Sequence, residues 1–383
     1  MHFEQDAQHK YNQLNGVIMN SNALKVAVFL ASSFAVSAPY AAVTFLGGAA
    51  VDISETGIVA GNYQQKIRNG SILQGYVFDA GTKKFNYSFF ETHGIDDWCE
   101  TSITALSSNG AAGVGTIFHD KMAKIWPNPS NYNNGVARTT NTVTGINNSR
   151  DVAGFSIQDN GRTVANKWTV SGELPKRGES YNDYTTWAGA QLYTPATGSS
   201  KSVDINNAGV VVGQTTDNGN TVATVWNGVN ATYLVNPNGG TSFASSINDA
   251  GQVVGTAGGY ATLWADGGAT TLGIGQALSI SGNGLIAGYS FTQDNNQFAA
   301  LWNNGETIDL NSYLSDAERS SGWLLTEASG VNSQGYVVGK AINMNTGAVA
   351  GFVTPVPEPE TYALMMGGLG LVGAAVRRKR AIA

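Results

Sequence analysis

Residues 247–273 read INDAGQVVGTAGGYATLWADGGATTLG, and the order of residue types within them decides the fold class. Ile247 ends one strand. The Asx residues before Gly251 make a tight turn in which glycine takes positive φ without steric penalty. Val-Val-Gly opens a second strand, with Gly255 leaving room for a close neighbour. An apolar run ending at Trp264 is a third strand, Asp266-Gly267 a second turn, and ATTLG a fourth strand.

The same phrase recurs along the chain. It stands as ISETGIVAG at Ile53, INNAGVVVG at Ile205, ISGNGLIAG at Ile280 and VNSQGYVVG at Val331. Two copies are degenerate: INNSRDVAG at Ile146 has Arg150 in the first glycine's place, and LSSNGAAGVG at Leu106 is one residue longer. The aromatic strand follows each time, at Phe78, Trp126, Trp168, Trp226, Trp264, Trp302 and Phe352. Successive starts lie 33 to 59 residues apart, which suits β-propeller blades of about 40–50 residues. The last copy stops at its aromatic strand. The stretch VTFLGGAAVDI, residues 43–53, matches the end of a unit, ATTLGIGQALSI, so residues 43–47 are expected to supply the missing strand and remove two open edges. The expected fold is all-β: a propeller over residues 43–355 with seven four-stranded blades closed by the N-terminal strand. An open β-solenoid or another blade count is the alternative.

The repeat resembles the HAF family of bacterial extracellular repeats, in which a phrase like IN-x-x-G-x-VVG precedes an aliphatic-aromatic strand, a W-x-x-G turn and a D-L-G ending. Residues 247–273 and 280–310 match best, the latter through Trp302-Asn303-Asn304-Gly305 and Asp309-Leu310. The family's histidine is absent; Tyr260-Ala261-Thr262-Leu263 and Phe298-Ala299-Ala300-Leu301 stand there instead. The resemblance implies a propeller-like fold and export, and no established activity.

Both ends read as addresses. From Met19, taken as the start of translation, Lys25 precedes the apolar run Val26 to Val36 and then small residues, as in a secretory signal. Its cleavage is expected between Ala38 and Val43, which makes residues 1–42 an extension and signal peptide. At the other end, residues 356–383, the stretch Thr361 to Val376 carries no charge. As a helix its 16 residues reach only about 24 Å, against ~30 Å of hydrocarbon. Arg377, Arg378, Lys379 and Arg380 follow and would stay on the cytoplasmic side. With Val356-Pro357-Glu358-Pro359 in front, this end resembles the PEP-CTERM sorting signal of Gram-negative bacteria. That resemblance implies the secretion machinery, transient membrane insertion through a hydrophobic helix, an exosortase-type processing enzyme, and a setting of exopolysaccharide and biofilm matrix.

Composition narrows the chemistry. Only 13% of residues are charged, about half the usual ~25%. Residues 1–42 hold two acids and two bases, and the tail two acids and four bases, so the formal net charge of −6 becomes −8 for the part between. Such an acidic body, with no basic cluster before Arg377, argues against a nucleic-acid partner. Cys99 is the only cysteine, and the four histidines show no paired metal-binding spacing. No cofactor is expected. The Asx-Gly pairs are read as turns, since they lack the dense acids of calcium loops. One cluster, ETHGIDDWCE at 91–100, brings Glu91, His93, Asp96, Asp97, Cys99 and Glu100 together in a connection between units. Two connections exceed their siblings. Residues 171–193 carry Tyr181, Tyr184 and Trp187, and residues 311–329 carry Trp323. Aromatic rings at a propeller rim can stack on sugar faces; covering blade edges is the alternative. The function expected is a non-enzymatic, exported matrix or envelope protein that binds polysaccharide or another protein. The alternative is a glycan hydrolase or lyase whose site lies in the propeller channel, which requires converging carboxylates there. Periodicity places few acids on the inner strands.

Overall fold

The structure, a computed structural model, describes residues 43–67, 70–86, 92–93, 97–98, 101–110, 113–117, 122–126, 142–171 and 186–356. After β1 (Thr44–Gly47) the first sheet runs β2 (Ala49–Ile53), β3 (Ile58–Ile67), β4 (Gly70–Asp79) and β5 (Lys84–Asn86). A short pair follows, β6 (Thr92–His93) and β7 (Asp97–Trp98). The second sheet is β8 (Thr101–Leu106), β9 (Gly113–Ile117) and β10 (Met122–Trp126). The third is β11 (Thr142–Ile146), β12 (Val152–Ile157), β13 (Thr163–Ser171) and β14 (Thr186–Gln191). The fourth is β15 (Ser199–Ile205), β16 (Val211–Asp217), β17 (Asn220–Asn227) and β18 (Asn230–Tyr233). Then β19 (Ser242–Ile247), β20 (Val253–Ala257), β21 (Tyr260–Ala265), β22 (Gly268–Ile280), β23 (Ile286–Phe291), β24 (Gln297–Asn303) and β25 (Glu306–Asp309) form one continuous ladder. Within it β22 is shared: it pairs with β21 up to Ile274 and with β23 from Gly275. The last sheet is β26 (Trp323–Val331), β27 (Tyr336–Asn343) and β28 (Val349–Pro355), with β1 added beside β28.

Each sheet is an antiparallel meander, and every copy of the phrase occupies the same place in one. Its leading residue ends the innermost strand: β2, β8, β11, β15, β19, β22 or β26. These strands touch one another in sequence, and β26 touches β2 again, so the circuit is closed. The chain is a β-propeller. The aromatic residue of the third strand sits opposite the first Val or Ile of the phrase, as in Trp168↔Val152, Trp226↔Val211, Trp264↔Val253 and Trp302↔Ile286. The final copy departs from this register. Thr354 stands opposite Val337, and Phe352 lies two residues earlier, opposite Gly339.

The two apolar residues of the phrase explain how the sheets stack. Neighbours on a strand point to opposite faces. Val211 therefore packs with Ala153, Ala165 and Trp226 on the side of the third sheet, while Val212 packs with Ala244, Val253 and Trp264 of the fifth unit. Val254 repeats the pattern one step on, against Ala277, Ile286 and Trp302. A large aromatic of one sheet lies against Ala and Val of the sheet before it, and this alternation of large and small lets the layers interdigitate.

The closing sheet behaves as the sequence leads one to expect. β1 pairs with β28 in the register Thr44↔Val353 to Gly47↔Ala350. The Phe45 and Trp323 rings stack with centroids 4.5 Å apart. Part of the long connection at 311–329 is a 3-10 turn over Leu310–Tyr313 and the capped helix α1 (Asp316–Ser320), with Leu310 and Leu314 buried in the core. The signal-peptide helix and the C-terminal hydrophobic helix fall outside the described residues. Among those described, no helix is long and apolar enough to cross a membrane.

Two glycines of one phrase have different physical roles. Gly251 has φ 79°, and an added Cβ would meet nothing within 4 Å. Gly255 has ordinary φ, but an added Cβ would collide with the main-chain carbonyl of Phe243 in β19. Gly251→Ala is therefore expected to cost about 1–2 kcal/mol through backbone strain, and Gly255→Ala about 3 kcal/mol or more through overpacking. Arg150 has φ 67° at the place where its siblings have glycine, so Arg150→Gly should raise stability by about 1 kcal/mol. Denaturant titration of the three variants checks the order.

Candidate functional site

All seven phrases converge at one end of the axial channel, where they line a cavity of about 140 Å³. The second residue of each phrase is buried there: Ser54, Ser107, Asn147, Asn206, Asn248, Ser281 and Asn332. Each Asn has two tasks. Its Oδ1 accepts from its own turn, as Asn206 does from the N–H groups of Ala208 and Val210 at 3.1 and 3.0 Å. Its Nδ2 donates to the next phrase along. Asn147 reaches the Asn206 carbonyl at 3.1 Å, Asn206 the Asn248 carbonyl at 3.1 Å, Asn248 the Ser281 carbonyl at 3.0 Å, and Asn332 the Ser54 carbonyl at 3.1 Å. Reading the Asx residues as turn formers alone misses this second bond. Ser54 and Ser281 keep the turn bond, to the N–H groups of Ile58 at 3.0 Å and Leu285 at 2.9 Å.

A wider ring surrounds the first. Asn148 and Asn207 donate their N–H groups to Oδ1 of Asn207 and of Asp249, each at 2.8 Å. Glu55 accepts from the N–H groups of Gly282 at 2.8 Å and Ser333 at 2.7 Å. Its carboxylate fills the gap left where Gly282 has no side chain.

One step earlier on the innermost strands lies a feature that periodicity could not reveal. Each of these strands carries a bulge just before its leading residue. A bulge adds a residue and re-aims the side chains that follow. In two copies the triplet is Val-Asp-Ile, at 51–53 and 203–205. Asp52 accepts from the N–H of Ile53 at 2.7 Å and of Leu106, in the next sheet, at 2.8 Å. Asp204 accepts from Ile205 at 2.8 Å and, in the next sheet, from the Ser246 hydroxyl at 2.9 Å and the Ile247 N–H at 3.0 Å. In three other copies the bulged residue itself carries the hydroxyl, and a small residue takes the place of Asp. Thr104 donates to the Val143 carbonyl at 3.2 Å, Thr144 to the Ser202 carbonyl at 3.0 Å, and Ser329 to the Ala50 carbonyl at 2.8 Å. Either device ties one sheet to the next.

Asp52 and Asp204 thus face one cavity, and both are pushed toward the neutral acid. For Asp52, burial raises the carboxyl to about 7; the Leu106 and Ile53 N–H groups oppose this, and the negative charge of Asp204 adds to it. Asp204 is raised mainly by burial against the same kind of N–H donors. Their sequence signal was the Asp that directly precedes the leading Ile in DISETG and DINNAG. Strict alternation does not aim it at the channel; the bulge does.

The residues singled out by sequence are placed unevenly. Of the cluster at 91–100, the backbone pairs His93 with Asp97 in a two-stranded ladder, and Glu91, Asp96, Cys99 and Glu100 fall outside the described residues. So do Tyr181, Tyr184, Pro357, Glu358, Pro359, Arg377, Arg378, Lys379 and Arg380. Trp187 lies in β14 opposite Val170. Trp323 is half-buried against Phe45. Val356 is buried. Among the described residues no three His, Cys, Asp or Glu side chains are placed to hold a metal ion.

Comparison with known proteins finds a PEP-CTERM protein-sorting motif at residues 355–380. This marks an exported protein, handled by exosortase-type sorting machinery and destined for the cell surface or exterior. No curated protein matches the chain. Solved structures that resemble it include the RRP9 WD40 repeats, at 11% identity over 83% of this chain and 98% of that one, with a TM-score of 0.49. The Myceliophteria thermophila Cps50 (Swd1) β-propeller domain matches at 11% identity over 82% and 100%, with a TM-score of 0.46. The β-propeller domain of the Trilobed protease from Pyrococcus furiosus matches at 10% identity over 82% and 95%, with a TM-score of 0.38.

Two outcomes test this arrangement. Asn206→Ser keeps a turn acceptor and loses the bridge, so it should cost about 1 kcal/mol; Asn206→Ala loses both bonds and should cost about 2–3 kcal/mol. Equal losses in urea titration would count against the double role. For Asp52, a raised folded-state pKa means that stability is greatest below the unfolded value near 3.8 and is lost as pH rises toward about 7. Unfolding measured from pH 4 to pH 8 should show that decline, and Asp52→Asn should flatten it.

Proposed function

We propose that the protein is a non-enzymatic component of the cell surface or biofilm matrix of a Gram-negative bacterium. In this reading it is a seven-bladed propeller with the HAF-type repeat as its blade, closed by its N-terminal strand, and it binds exopolysaccharide or another protein at its rim. The observation that carries the reading is a sorting motif at residues 355–380 that begins where a propeller body ends. The blade count is supported by seven phrases on seven innermost strands in one circuit. A scaffold role is supported by the channel, whose carboxylates are occupied by main-chain N–H groups of two sheets at once. Its volume of about 140 Å³ is well below the ~300–1,000 Å³ of ordinary small-molecule sites. For the rim, Tyr181, Tyr184 and Trp187 are the proposed sugar contacts, and Trp323 adds only the ring surface that Phe45 leaves uncovered.

One observation favours a second reading. Asp52 and Asp204 share a cavity, and an acid raised to about 7 is what a glycan-cleaving general acid needs. Release of reducing ends or unsaturated sugars from matrix polysaccharide, abolished in Asp52→Asn, would establish that reading in place of the first.

The test of the first reading is the fate of the chain. Protein recovered from culture medium and from membranes, analysed by mass spectrometry at its C-terminus, should be shortened at the tail in normal cells and full-length in cells lacking the exosortase-type enzyme. Tyr184→Ala and Trp187→Ala should then weaken retention on matrix polysaccharide several-fold. An unprocessed chain that stays in the cytoplasm would overturn the proposal.

A further inference from the structure

Val356 opens the sorting motif, yet it belongs to the propeller. Its side chain is only 8% exposed and packs in the same apolar cluster as Val43, Val331, Val337 and Phe352. Its N–H donates to the Gly335 carbonyl at 2.7 Å, across the turn of the last phrase. Gly335 itself has φ 78°, and a Cβ there would come within 2.5 Å of the Val356 carbonyl. The arrangement is a regular part of a sheet: in the first sheet, the N–H of Ala80, just past the third strand, donates to the Gly57 carbonyl at 3.0 Å. Ala80 is likewise buried.

The other end is fixed beside it. Val43 is 7% exposed in the same cluster. The register Thr44↔Val353 continues to place Val43 across from Thr354, so the chain enters and leaves the propeller at one end of one sheet.

We propose that the folded body sets the limits of both processing events, building on the export reading above: the leader is removed at or before Val43, and the tail is cut C-terminal to Val356. A processing enzyme must hold its substrate extended, with the scissile amide free of other partners. The bond between Pro355 and Val356 does not meet that condition. Reaching it would require peeling away β28, which pairs with both β27 and β1. The amide broken therefore lies beyond Val356. Its acyl group passes to water or an amine, and the proton displaced from that acceptor goes to the departing amine.

Terminal peptides of the protein recovered from medium should begin at residue 43 or earlier and end at residue 356 or later. A product starting beyond residue 43 or ending at Pro355 or before would overturn the proposal. The clamp is judged separately on the full chain, whatever its destination in the cell. Val356→Asp should lower the melting temperature by several degrees and Val356→Ala by less, while Glu358→Ala leaves it unchanged. Identical melting for all three would refute the clamp, and an unprocessed chain with a destabilising Val356→Ala would refute the export reading alone.

Discussion

Val211 points at the sheet before its own and Val212 at the sheet after it, so the sheet that carries them needs an apolar neighbour on both sides. The same holds at Val253 and Val254, and at Val337 and Val338. Leaving the interface at Val211 open would expose Leu192, Ile205, Val211 and Trp226, each worth roughly 1.5–3 kcal/mol when buried. That sum, on the order of 10 kcal/mol, is comparable with the whole net stability of a typical domain. No linear stack of these sheets escapes the cost at its ends. The chain escapes it by returning to its start, where β1 completes the last sheet and Phe45 stacks on Trp323.

Closing a ring of sheets brings their tight turns together around an axis, and the carbonyl and N–H groups of those turns lose water there. Buried main-chain groups of this kind are nearly always paired. An Asn amide offers an acceptor and a donor at once, so one residue completes its own turn and bridges to the next. Ser54 and Ser281 at the same position have a shorter reach and keep the turn bond. A carboxylate offers acceptors alone, and it is found one step away, where the leading N–H groups of two sheets need one. Residue choice around the channel thus follows donor and acceptor demand position by position. Burial raises the Asp52 carboxyl, and the negative charge of Asp204 in the same small cavity adds to it.

Much of this was legible in the sequence. Positive φ at Gly57, Gly209, Gly251, Gly284 and Gly335 follows from the Asx-Gly phrase, and pairing of β1 with β28 follows from the complementary phases of the two ends. What stayed hidden has a common physical cause. A bulge inserts a residue without changing composition, so it turned Asp52 and Asp204 toward the channel while strict alternation gave no sign of it. The bridging bonds of Asn147, Asn206, Asn248 and Asn332 join phrases 33 to 59 residues apart, or far more at the closure. Turn chemistry, which is local, already accounted for the residue type. In the last sheet the aromatic is Phe352, two residues before the place used by the other copies and directly opposite Phe45 of the added strand β1.

The sorting motif and the fold meet at a residue whose chemistry suits both. β28 has strands on either side, β27 and β1, but β1 pairs with it only from Ala350 to Val353, and its last residue, Pro355, stands opposite Tyr336 of β27. Pro357, like Pro355, has no N–H, so it can add no donor to a ladder beyond Val356. The sorting motif thus begins at the end of the last strand, with no spacer between them. A spacer would have left the tail free to be cut anywhere along it. In the proposed processing, its absence ties the position of the cut to a buried valine, and through that valine to Val43 at the start of the closing strand.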